Sequence, residues 1–369
     1  MKALIFGGTG AIGIPVVKLL VKHGHDVYVT SRRNIKSEKD NLHYICGNAM
    51  DLEFIKNFLC QNHEFDVLID FMAYNTDEFR NRYEYLLTHV GRYFFFSSSR
   101  VYADQGNKKI TEDSPRLLDV CRDEDYIKTD EYALQKARQE NILLGSKYKN
   151  WTIIRPYITY NKERLQLGVL EKEEWLYRAL HDRTIVFTQD IADKVTSLTY
   201  GLDSADRIVK LAEMGEQDNI NGQIFHIATE EQIKWIDVFN LYLEVLSNVL
   251  GRKQKHKMLP NSTRYAKYNR YWQIKYDRLY NRTFDSEKIE KATRDYEYTP
   301  IREGLKNELT EFINGDRKFR VQDINWISQG FFDKVSHEMT TFNEIPGIKN
   351  RIKYLLARYT GFYEIRNLH

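Results

Sequence analysis

A tyrosine and a lysine stand four residues apart in a segment of this 369-residue chain that is predicted to be a helix. Side chains at this spacing share one helix face, so Tyr132 and Lys136 are expected to be neighbours. A phenol has a pKa of about 10 and exchanges protons poorly at neutral pH, but a nearby ammonium group stabilises the phenolate and lowers that pKa. The pair could therefore act as a general acid or base. Taken alone, the same spacing is also common on helix surfaces.

Serines close the strand predicted over residues 92–97 and continue as Ser98 and Ser99. A hydroxyl at a strand end can hydrogen-bond a substrate oxygen as negative charge develops there. Serines at strand ends are also ordinary turn residues, so the order of the features carries the argument. A glycine-rich turn comes first, then these serines, and then Tyr132 and Lys136, which favours a catalytic site.

The glycine-rich turn follows the strand predicted over residues 1–6 and precedes a helical pattern. Its glycines fit two spacings: Gly8, Gly10 and Gly13 form G-x-G-x-x-G, and Gly7, Gly10 and Gly13 form G-x-x-G-x-x-G. Glycines permit a tight turn and close backbone approach, and the free N–H groups of the helix N-terminus can then receive a pyrophosphate. In this strand–turn–helix context the motif predicts dinucleotide binding.

The second strand, predicted over residues 25–30, indicates which dinucleotide binds. It ends at Ser31, Arg32 and Arg33. Binders of NAD usually place an acid about twenty residues past the glycines to hold the ribose 2′-hydroxyl, whereas arginine accommodates a 2′-phosphate. The sequence therefore favours NADP(H), and NAD(H) is the alternative if both arginines are merely solvated loop charges.

Short apolar strands alternate with amphipathic helices in the first half of the chain. This alternation predicts an α/β fold, a doubly wound parallel Rossmann-type sheet that binds ligands at the carboxyl ends of its strands. Further strands are predicted at 42–45, 67–72, 151–154 and 223–228, and helices at about 51–61, 77–90, 128–147, 204–213 and 233–250.

Composition excludes several protein classes. The net charge of +3 does not by itself indicate a polyanionic partner. Cys46, Cys60 and Cys121 lack the spacing of a metal site or a disulfide framework and suit a reducing compartment. The chain shows neither a signal-peptide pattern nor a long apolar run, so a cytoplasmic protein without a metal site is expected.

Together these features resemble the extended short-chain dehydrogenase/reductases, the nucleotide-sugar epimerases, dehydratases and ketoreductases of the NAD-dependent epimerase/dehydratase family. The resemblance covers roughly residues 1–315. It rests on Gly7, Gly10 and Gly13, on Gly47-Asn48-Ala49-Met50-Asp51 (G-D-x-x-D in the family), on Val101-Tyr102, Tyr132, Lys136, Arg155-Pro156, Asp203-Ser-Ala205 and Phe225-His-Ile-Ala228.

The resemblance implies a role for each matching residue. Tyr132 would be the acid/base, Lys136 would bind the nicotinamide ribose, and the catalytic hydroxyl would be Ser98 counted back from Val101 or Ser99 counted forward from the strand. Asn48 would face adenine. The implied cofactor-binding residues are Gly7, Thr9, Gly10, Ala11, Ile12, Gly13, Ser31, Arg32, Arg33, Asn48, Ala49, Ala73, Tyr132, Lys136 and Pro156.

Three departures from the family pattern bear on the reaction. Asp70 stands where the family usually has histidine, and Ile158 stands where a sugar-contacting asparagine is common. Ser99 and Arg100 replace the Asp-Glu pair of the dehydratases, which argues against dehydration. Two chemistries stay open: NADPH-dependent 4-keto reduction of a nucleotide sugar for polysaccharide biosynthesis, which the arginines favour, and 4-epimerisation on tightly held NAD(P).

The domain organisation is expected to be interleaved. Residues 1–165, with 196–230 returning, would form the NADP-binding domain. Residues 166–195 and 231–315 would form the smaller α/β substrate domain, and 316–369 a helical C-terminal extension. The resemblance also implies a homodimer.

Residues 251–282 contain ten lysines and arginines against one acid, Asp277. Aromatic residues repeat there at helical spacing: Tyr265, Tyr268, Trp272, Tyr276 and Tyr280. Three interpretations are a nucleic-acid surface, a grip on the diphosphate of a nucleotide sugar, and core aromatics with solvated charges. The last is favoured and no nucleic-acid partner is expected, although an atypical family member that binds RNA is a remote alternative.

The tail carries a basic amphipathic helix over residues 348–359. Its apolar stripe is Ile348, Ile352, Leu355, Leu356 and Tyr359. Such a helix can lie on an anionic membrane, but docking on its own domain or on a partner subunit is commoner and is the expectation here.

Overall fold

The computed structural model describes residues 1–8, 10–61, 64–263, 270–316 and 319–360. The chain divides into two compact units. The first unit comprises Met1–Thr159, Ser197–Glu230 and Thr283–Thr299, and the second comprises Tyr160–Thr196, Glu231–Arg282 and Pro300–His369. Residues 283–299, which the sequence assigned to the substrate domain, thus group with the first unit. The C-terminal extension forms part of the second unit.

The elements of the described residues alternate as the sequence pattern indicates. The strands are β1 Lys2–Phe6, β2 Asp26–Ser31, β3 Leu42–Cys46, β4 Phe65–Asp70, β5 Val90–Phe96, β6 Trp151–Pro156, β7 Thr159–Tyr160, β8 Ile185–Thr188, β9 Val195–Thr196, β10 Thr199–Tyr200, β11 Gln223–Ile227, β12 Ile233–Lys234 and β13 His256–Leu259. The helices are α1 Gly13–Lys22, α2 Leu52–Gln61, α3 Thr76–Arg80, α4 Tyr83–His89, α5 Leu117–Val120, α6 Glu124–Ile127, α7 Tyr132–Leu144, α8 Lys172–Leu180, α9 Gln189–Ala192, α10 Gly201–Glu213, α11 Trp235–Leu250, α12 Tyr271–Gln273, α13 Glu287–Thr293, α14 Ile301–Asn314, α15 Trp326–Ser336 and α16 Gly347–Tyr359.

The first unit contains a seven-stranded sheet in the order β11-β6-β5-β4-β1-β2-β3. Every neighbouring pair is parallel. The interior strand β1 is buried on both faces, with Ala3, Leu4 and Ile5 fully inaccessible, as expected for a parallel sheet covered by helices. One core includes side chains of α1 and α10, and another includes side chains of α2, α3 and α4. The predicted Rossmann-type fold class is confirmed.

The glycine turn between β1 and α1 depends on side chains being absent. Gly7 adopts φ +72°, a left-handed conformation that glycine tolerates without strain. A Cβ on Gly13 would lie 2.8 Å from the backbone of Gly8, so the chain can fold back on itself only with glycine there. Ile12 precedes the helix without a side-chain cap, so no side chain of that residue satisfies the first N–H groups of α1.

Two predicted helices have different bounds. The helix predicted at 77–90 is interrupted between α3 and α4, because Arg82 turns back to donate from Nε to the Glu78 carbonyl at 2.8 Å. The helix predicted at 128–147 begins only at Tyr132. Glu131 caps it by accepting a hydrogen bond from the Ala133 N–H.

The second unit incorporates the C-terminal helices into its own core. Arg178 of α8 is fully buried and forms ion pairs with Asp333 of α15 at 2.8 Å and with Glu338 at 2.9 Å. A hydrophobic cluster there consists of Tyr177, Ile324, Trp326, Ile345 and Tyr354. Nowhere in the described part of the chain is a helix both long and apolar enough to cross a membrane.

Replacing Gly13 with alanine should destabilise the protein by about 1–3 kcal/mol, because the new methyl group overpacks the turn against the Gly8 backbone. Gly10→Ala is the matched control, since a Cβ at position 10 meets nothing within 4 Å. Urea unfolding of both variants measures the difference. Equal losses of stability would contradict the close-approach argument.

Candidate functional site

A cavity of about 340 Å³ opens at the carboxyl ends of β1, β2 and β3 in the first unit. It brings together six residues predicted to bind the cofactor: Gly7, Ser31, Arg32, Arg33, Asn48 and Ala49. Four lining residues were missed by the sequence analysis: Thr30, Gly47, Met50 and Met72. Each of these adjoins a predicted motif or strand end, which was the available signal.

The rim of this cavity carries two cationic groups and no acid among its lining residues. Arg32 and Arg33 are exposed, and neither forms an ion pair with any residue of the described ranges. The Arg33 N–H donates to Ser31 Oγ at 3.1 Å, and the Gly47 N–H donates to the Ser31 carbonyl at 2.8 Å, which fixes the backbone of this rim.

The loop after β3 forms the opposite wall. Asn48 is exposed, and its Oδ1 accepts from the Met50 N–H at 3.2 Å. Buried Arg82 donates from Nη1 to the Ala49 carbonyl at 3.2 Å and from Nη2 to the Met50 carbonyl at 3.0 Å. The break between α3 and α4 therefore has a consequence at the site, because it lets one buried guanidinium hold this loop.

Other predicted cofactor residues lie outside the lining of this cavity. Ala73 is exposed, and its neighbour Met72 lines the cavity instead. Thr9 lies outside the described residues. The remaining ones, which belong to the glycine turn, to β6 and to α7, are Gly10, Ala11, Ile12, Gly13, Pro156, Tyr132 and Lys136.

Asp70 ends β4 as a buried carboxyl group. It accepts hydrogen bonds from the Met72 N–H at 3.0 Å, from the Tyr93 hydroxyl at 2.9 Å and from the Tyr74 hydroxyl at 3.3 Å. Burial raises the pKa of Asp70, and these hydrogen bonds together with the charge of Lys136 oppose part of that rise. The family's histidine is thus replaced by an acid whose field reaches the lysine.

Tyr132 is the first residue of α7 and is 36 % exposed. The Arg100 guanidinium lies 5.3 Å from the centre of its ring and forms an ion pair with Glu131 at 2.6 Å. Asp130 accepts from the Thr76 N–H at 3.1 Å and from its hydroxyl at 2.6 Å, which holds the start of α7 to the start of α3. The phenol therefore stands at a fixed helix start beside a cation.

Lys136 lies one turn further along α7 and is 2 % exposed. Its Nζ is 5.9 Å from the centre of the Tyr132 ring and 4.8 Å from that of Phe95. It makes no hydrogen bond or ion pair with the residues that the structure describes. Burial lowers the pKa of Lys136 to about 8, although the charges of Asp70 and Glu140 act in the opposite direction.

Glu140, another turn along, was missed by the sequence analysis. It is fully buried and accepts from Arg155 Nε and Nη2, both at 2.8 Å, from Arg116 Nη1 at 3.0 Å, and from the Ser97 hydroxyl at 2.5 Å. The carboxylate thereby ties α7 to the ends of β5 and β6. A glutamate inside a helix has no local sequence signal for such a role.

The two candidate serines differ in their surroundings. Ser99 is fully buried and donates to the Arg155 carbonyl at 2.8 Å. Ser98 is 8 % exposed, and its Oγ accepts from the Arg100 N–H at 3.2 Å, which leaves its own proton to donate.

A possible donor set for a metal ion, not predicted from the sequence, lies at the other end of β2. His23 Nδ1 and His25 Nε2 each hydrogen-bond Glu213 Oε1 at 2.7 Å, and the three side-chain atoms lie within 4.8 Å of one another. His25 precedes the amino end of β2, whereas Ser31 closes its carboxyl end. This group is therefore remote from the cavity.

In the second unit, several arginines of the basic stretch 251–282 are engaged internally. Arg270 pairs with Glu174 at 2.8 Å, and the buried Arg278 and Arg282 both pair with Asp277. Trp272 and Tyr276 stack on each other, with Tyr276 9 % exposed. The predicted aromatics Tyr265 and Tyr268 lie outside the described residues.

Lys136→Met should change the pH dependence of stability. The folded-state pKa of Lys136 is lowered from 10.5 to about 8, so between these pH values the unfolded chain binds more protons than the folded chain. The free energy of unfolding of the wild type therefore rises with pH across this range. A displacement of that size corresponds to roughly 3 kcal/mol. The free energy of unfolding of the variant should therefore exceed that of the wild type by the largest amount below pH 8, and the difference should shrink as pH rises further.

Urea unfolding between about pH 7 and pH 9.5 measures this difference. Lys18→Met is the control, because Lys18 is exposed on α1 and its variant should follow the wild-type curve in parallel. An advantage of Lys136→Met that stays constant with pH would contradict a buried, charged lysine.

The fold is similar to those of solved nucleotide-sugar enzymes. The dTDP-glucose 4,6-dehydratase of Bacillus anthracis str. Ames, in complex with NAD, matches with a TM-score of 0.66 and 16% identity over 87% of this chain and 99% of that chain. The UDP-N-acetylglucosamine 4-epimerase of Methanobrevibacter ruminantium M1 matches with a TM-score of 0.63 and 17% identity over 85% and 98% of the two chains. At these identities the likeness concerns the fold.

A curated relative is the chloroplast stem-loop binding protein of 41 kDa b from Arabidopsis thaliana, 26% identical over 246 residues. The match covers 63% of this chain, which spans 60% of the length of that relative. The family of NAD dependent epimerases/dehydratases matches residues 3–228, more than half of the chain, and confirms the resemblance seen in the sequence. The chain belongs to the NAD dependent epimerase/dehydratase family.

Proposed function

We propose that this protein is an NADP(H)-dependent oxidoreductase that reduces the 4-keto group of a nucleotide-activated sugar, with Tyr132 as general acid. The observation that carries the proposal is the buried ammonium of Lys136, which has no hydrogen-bond partner among the described residues and lies beside the accessible Tyr132. A buried polar group without partners is costly and is retained where a ligand completes its bonds.

The residues fit a bound dinucleotide. Gly7 and Gly13 permit the tight turn, and a Cβ at Gly10 would meet nothing within 4 Å, so open space for a pyrophosphate adjoins the start of α1. Arg32 and Arg33 offer charge to a 2′-phosphate, and no lining residue of the cavity offers the carboxylate that holds a 2′-hydroxyl in NAD. Lys136 would donate to the nicotinamide ribose.

NADPH, when bound, supplies the hydride that the carbonyl carbon accepts. The Tyr132 hydroxyl gives its proton to the carbonyl oxygen, which becomes the new alcohol, and Lys136 together with Arg100 stabilises the phenolate that remains. Ser98 donates a hydrogen bond to the same oxygen as negative charge develops. Ser99 supports β6 instead, since its proton is committed to the Arg155 carbonyl.

The second candidate is a 4-epimerase that retains NAD(P) through oxidation and re-reduction. The fold similarity to a solved UDP-N-acetylglucosamine 4-epimerase favours it. The arginine rim favours reduction, because a reductase must take up fresh NADPH at each turnover. Cofactor released from the purified protein separates the two: stoichiometric bound NAD would mean an epimerase.

RNA binding is the third candidate, and the name of the chloroplast relative is the observation that favours it. Two features weigh against it. Arg270, Arg278 and Arg282 of the basic stretch are paired with carboxylates, and an RNA-binding protein would have no use for the arrangement of Tyr132 and Lys136. The homodimer expected from the resemblance stays a prediction.

Replacing both Arg32 and Arg33 with alanine should weaken NADPH binding by about tenfold to a hundredfold, since hydrogen bonds to a charged group contribute about 1.5–3 kcal/mol. Calorimetric titration with NADH is the internal control, because NADH lacks the 2′-phosphate. Equal loss of affinity for both cofactors would point to general damage of the rim, and an unchanged NADPH affinity would refute the assignment to NADP(H).

Tyr132→Phe should lower turnover of a 4-keto nucleotide sugar by about a hundredfold or more, the usual contribution of a positioned general acid, and should leave NADPH affinity unchanged. Stopped-flow absorbance of NADPH and calorimetry measure the two quantities. Two results together would overturn the enzyme proposal in favour of RNA binding. The wild-type protein would turn over no such sugar, and the wild type and Tyr132→Phe would bind stem-loop RNA equally well.

A further inference from the structure

Helix α16 presents to solvent the face that its sequence pattern predicts to be buried. The side chains it buries are Tyr354 and Ala357. On the opposite face Ile348 is 78 % exposed, Ile352 51 % and Tyr359 59 %. At 3.6 residues per turn these three positions lie along one line of the helix surface. Leu355 of the stripe packs against the hydrophobic cluster of the second unit, so the docking on the chain's own domain that the sequence favoured occurs only for part of the stripe.

Positive charge flanks the outward stripe on both sides. Lys349 and Lys353 project from one side of it and Arg351 and Arg358 from the other, as the helical spacing requires. The helix contains no acidic residue, and none of these four side chains forms an ion pair with the described part of the chain, although Arg351 Nε donates to the Ile345 carbonyl at 3.1 Å. Further exposed apolar side chains, Met339 and Phe342, precede the helix in sequence.

We propose that this face of α16 is a docking surface for an anionic lipid bilayer. Apolar side chains of the stripe would enter the boundary between headgroups and acyl chains, and the basic flanks would meet the negative headgroups. The docking surface does not depend on the proposed function.

Other occupants fit these observations less well. Two copies paired through this face would bring eight cationic side chains together without compensating acids. Nucleic acid would satisfy the charges but would leave Ile348 and Ile352 in water, since neither side chain can stack on a base. Residues 361–369 follow the helix and lie outside the described residues. A chain that ends at residue 360 tests whether they occupy this face.

Flotation of the full chain with vesicles tests the proposal. We expect binding to phosphatidylcholine vesicles that contain about 30 % phosphatidylglycerol, weak binding to pure phosphatidylcholine, and a loss of binding as salt is raised above about 0.1 M. Ile348→Asp/Ile352→Asp should reduce binding at least tenfold. Lys349→Gln/Lys353→Gln should weaken it by a smaller factor and should reduce its salt dependence.

Val120→Asp/Leu202→Asp is the matched control, since it makes the same chemical change at two exposed apolar side chains of the first unit, and it should bind like the wild type. An equal loss in the control, equal binding to neutral vesicles, or no binding at all would overturn the proposal. Binding that appears only in a chain ending at residue 360 would overturn it too, and would identify residues 361–369 as the occupant. Flotation measures neither cofactor binding nor turnover. A failure of the proposed function would therefore leave the result of this assay unchanged.

Discussion

The buried carboxylate of Glu140 is the interaction on which the candidate site depends. It receives Arg155 in a two-pronged ion pair, Arg116 in a second pair and the hydroxyl of Ser97. Breaking a buried pair of this kind generally costs about 3–5 kcal/mol, because the remaining charge is left without a partner. Helix α7 is therefore fixed in rotation and height against the ends of β5 and β6. Tyr132, two turns before Glu140, is held where those strands end.

The same low-dielectric region determines the properties of Lys136. An ammonium buried there is destabilised unless carboxylates compensate it, and Asp70 supplies one of these fields from the end of β4. Burial raises the pKa of Asp70 itself, and the hydrogen bonds from Tyr74, Tyr93 and the Met72 N–H oppose part of that rise. The result is a lysine whose pKa is lowered to about 8 and whose ammonium group makes no hydrogen bond with the residues that the structure describes. A polar group without a hydrogen-bond partner, in a region where the other polar groups are paired, is typical of a site that a ligand completes.

What the sequence predicted well is what depends on short-range rules. Gly7 and Gly13 predict the turn, because its left-handed backbone and close approach favour glycine. The apolar runs that alternate with helices predict the parallel sheet. What it missed depends on contacts between distant segments. Arg82 interrupts a predicted helix to hold the loop at Ala49, and Glu140 reaches Arg116 and Arg155 across the fold. Neither contact leaves a pattern in the local sequence.

Helix α16 shows why periodicity alone does not decide which face of a helix is buried. Its apolar stripe is the larger one, yet the helix docks through Tyr354, whose hydroxyl donates to Asp333 at 2.6 Å. Asp333 forms an ion pair with buried Arg178 through Oδ1, and its Oδ2 also accepts from the N–H and the hydroxyl of Thr340; a leucine or isoleucine in place of Tyr354 could not donate to this carboxylate. At Gly330 the absence of a Cβ lets the Tyr354 backbone approach closely, since an added Cβ would lie 2.5 Å from the Tyr354 carbonyl oxygen. A polar contact and a close helix contact thus decide how the helix docks, and Ile348, Ile352 and Tyr359 of the stripe are left facing outward.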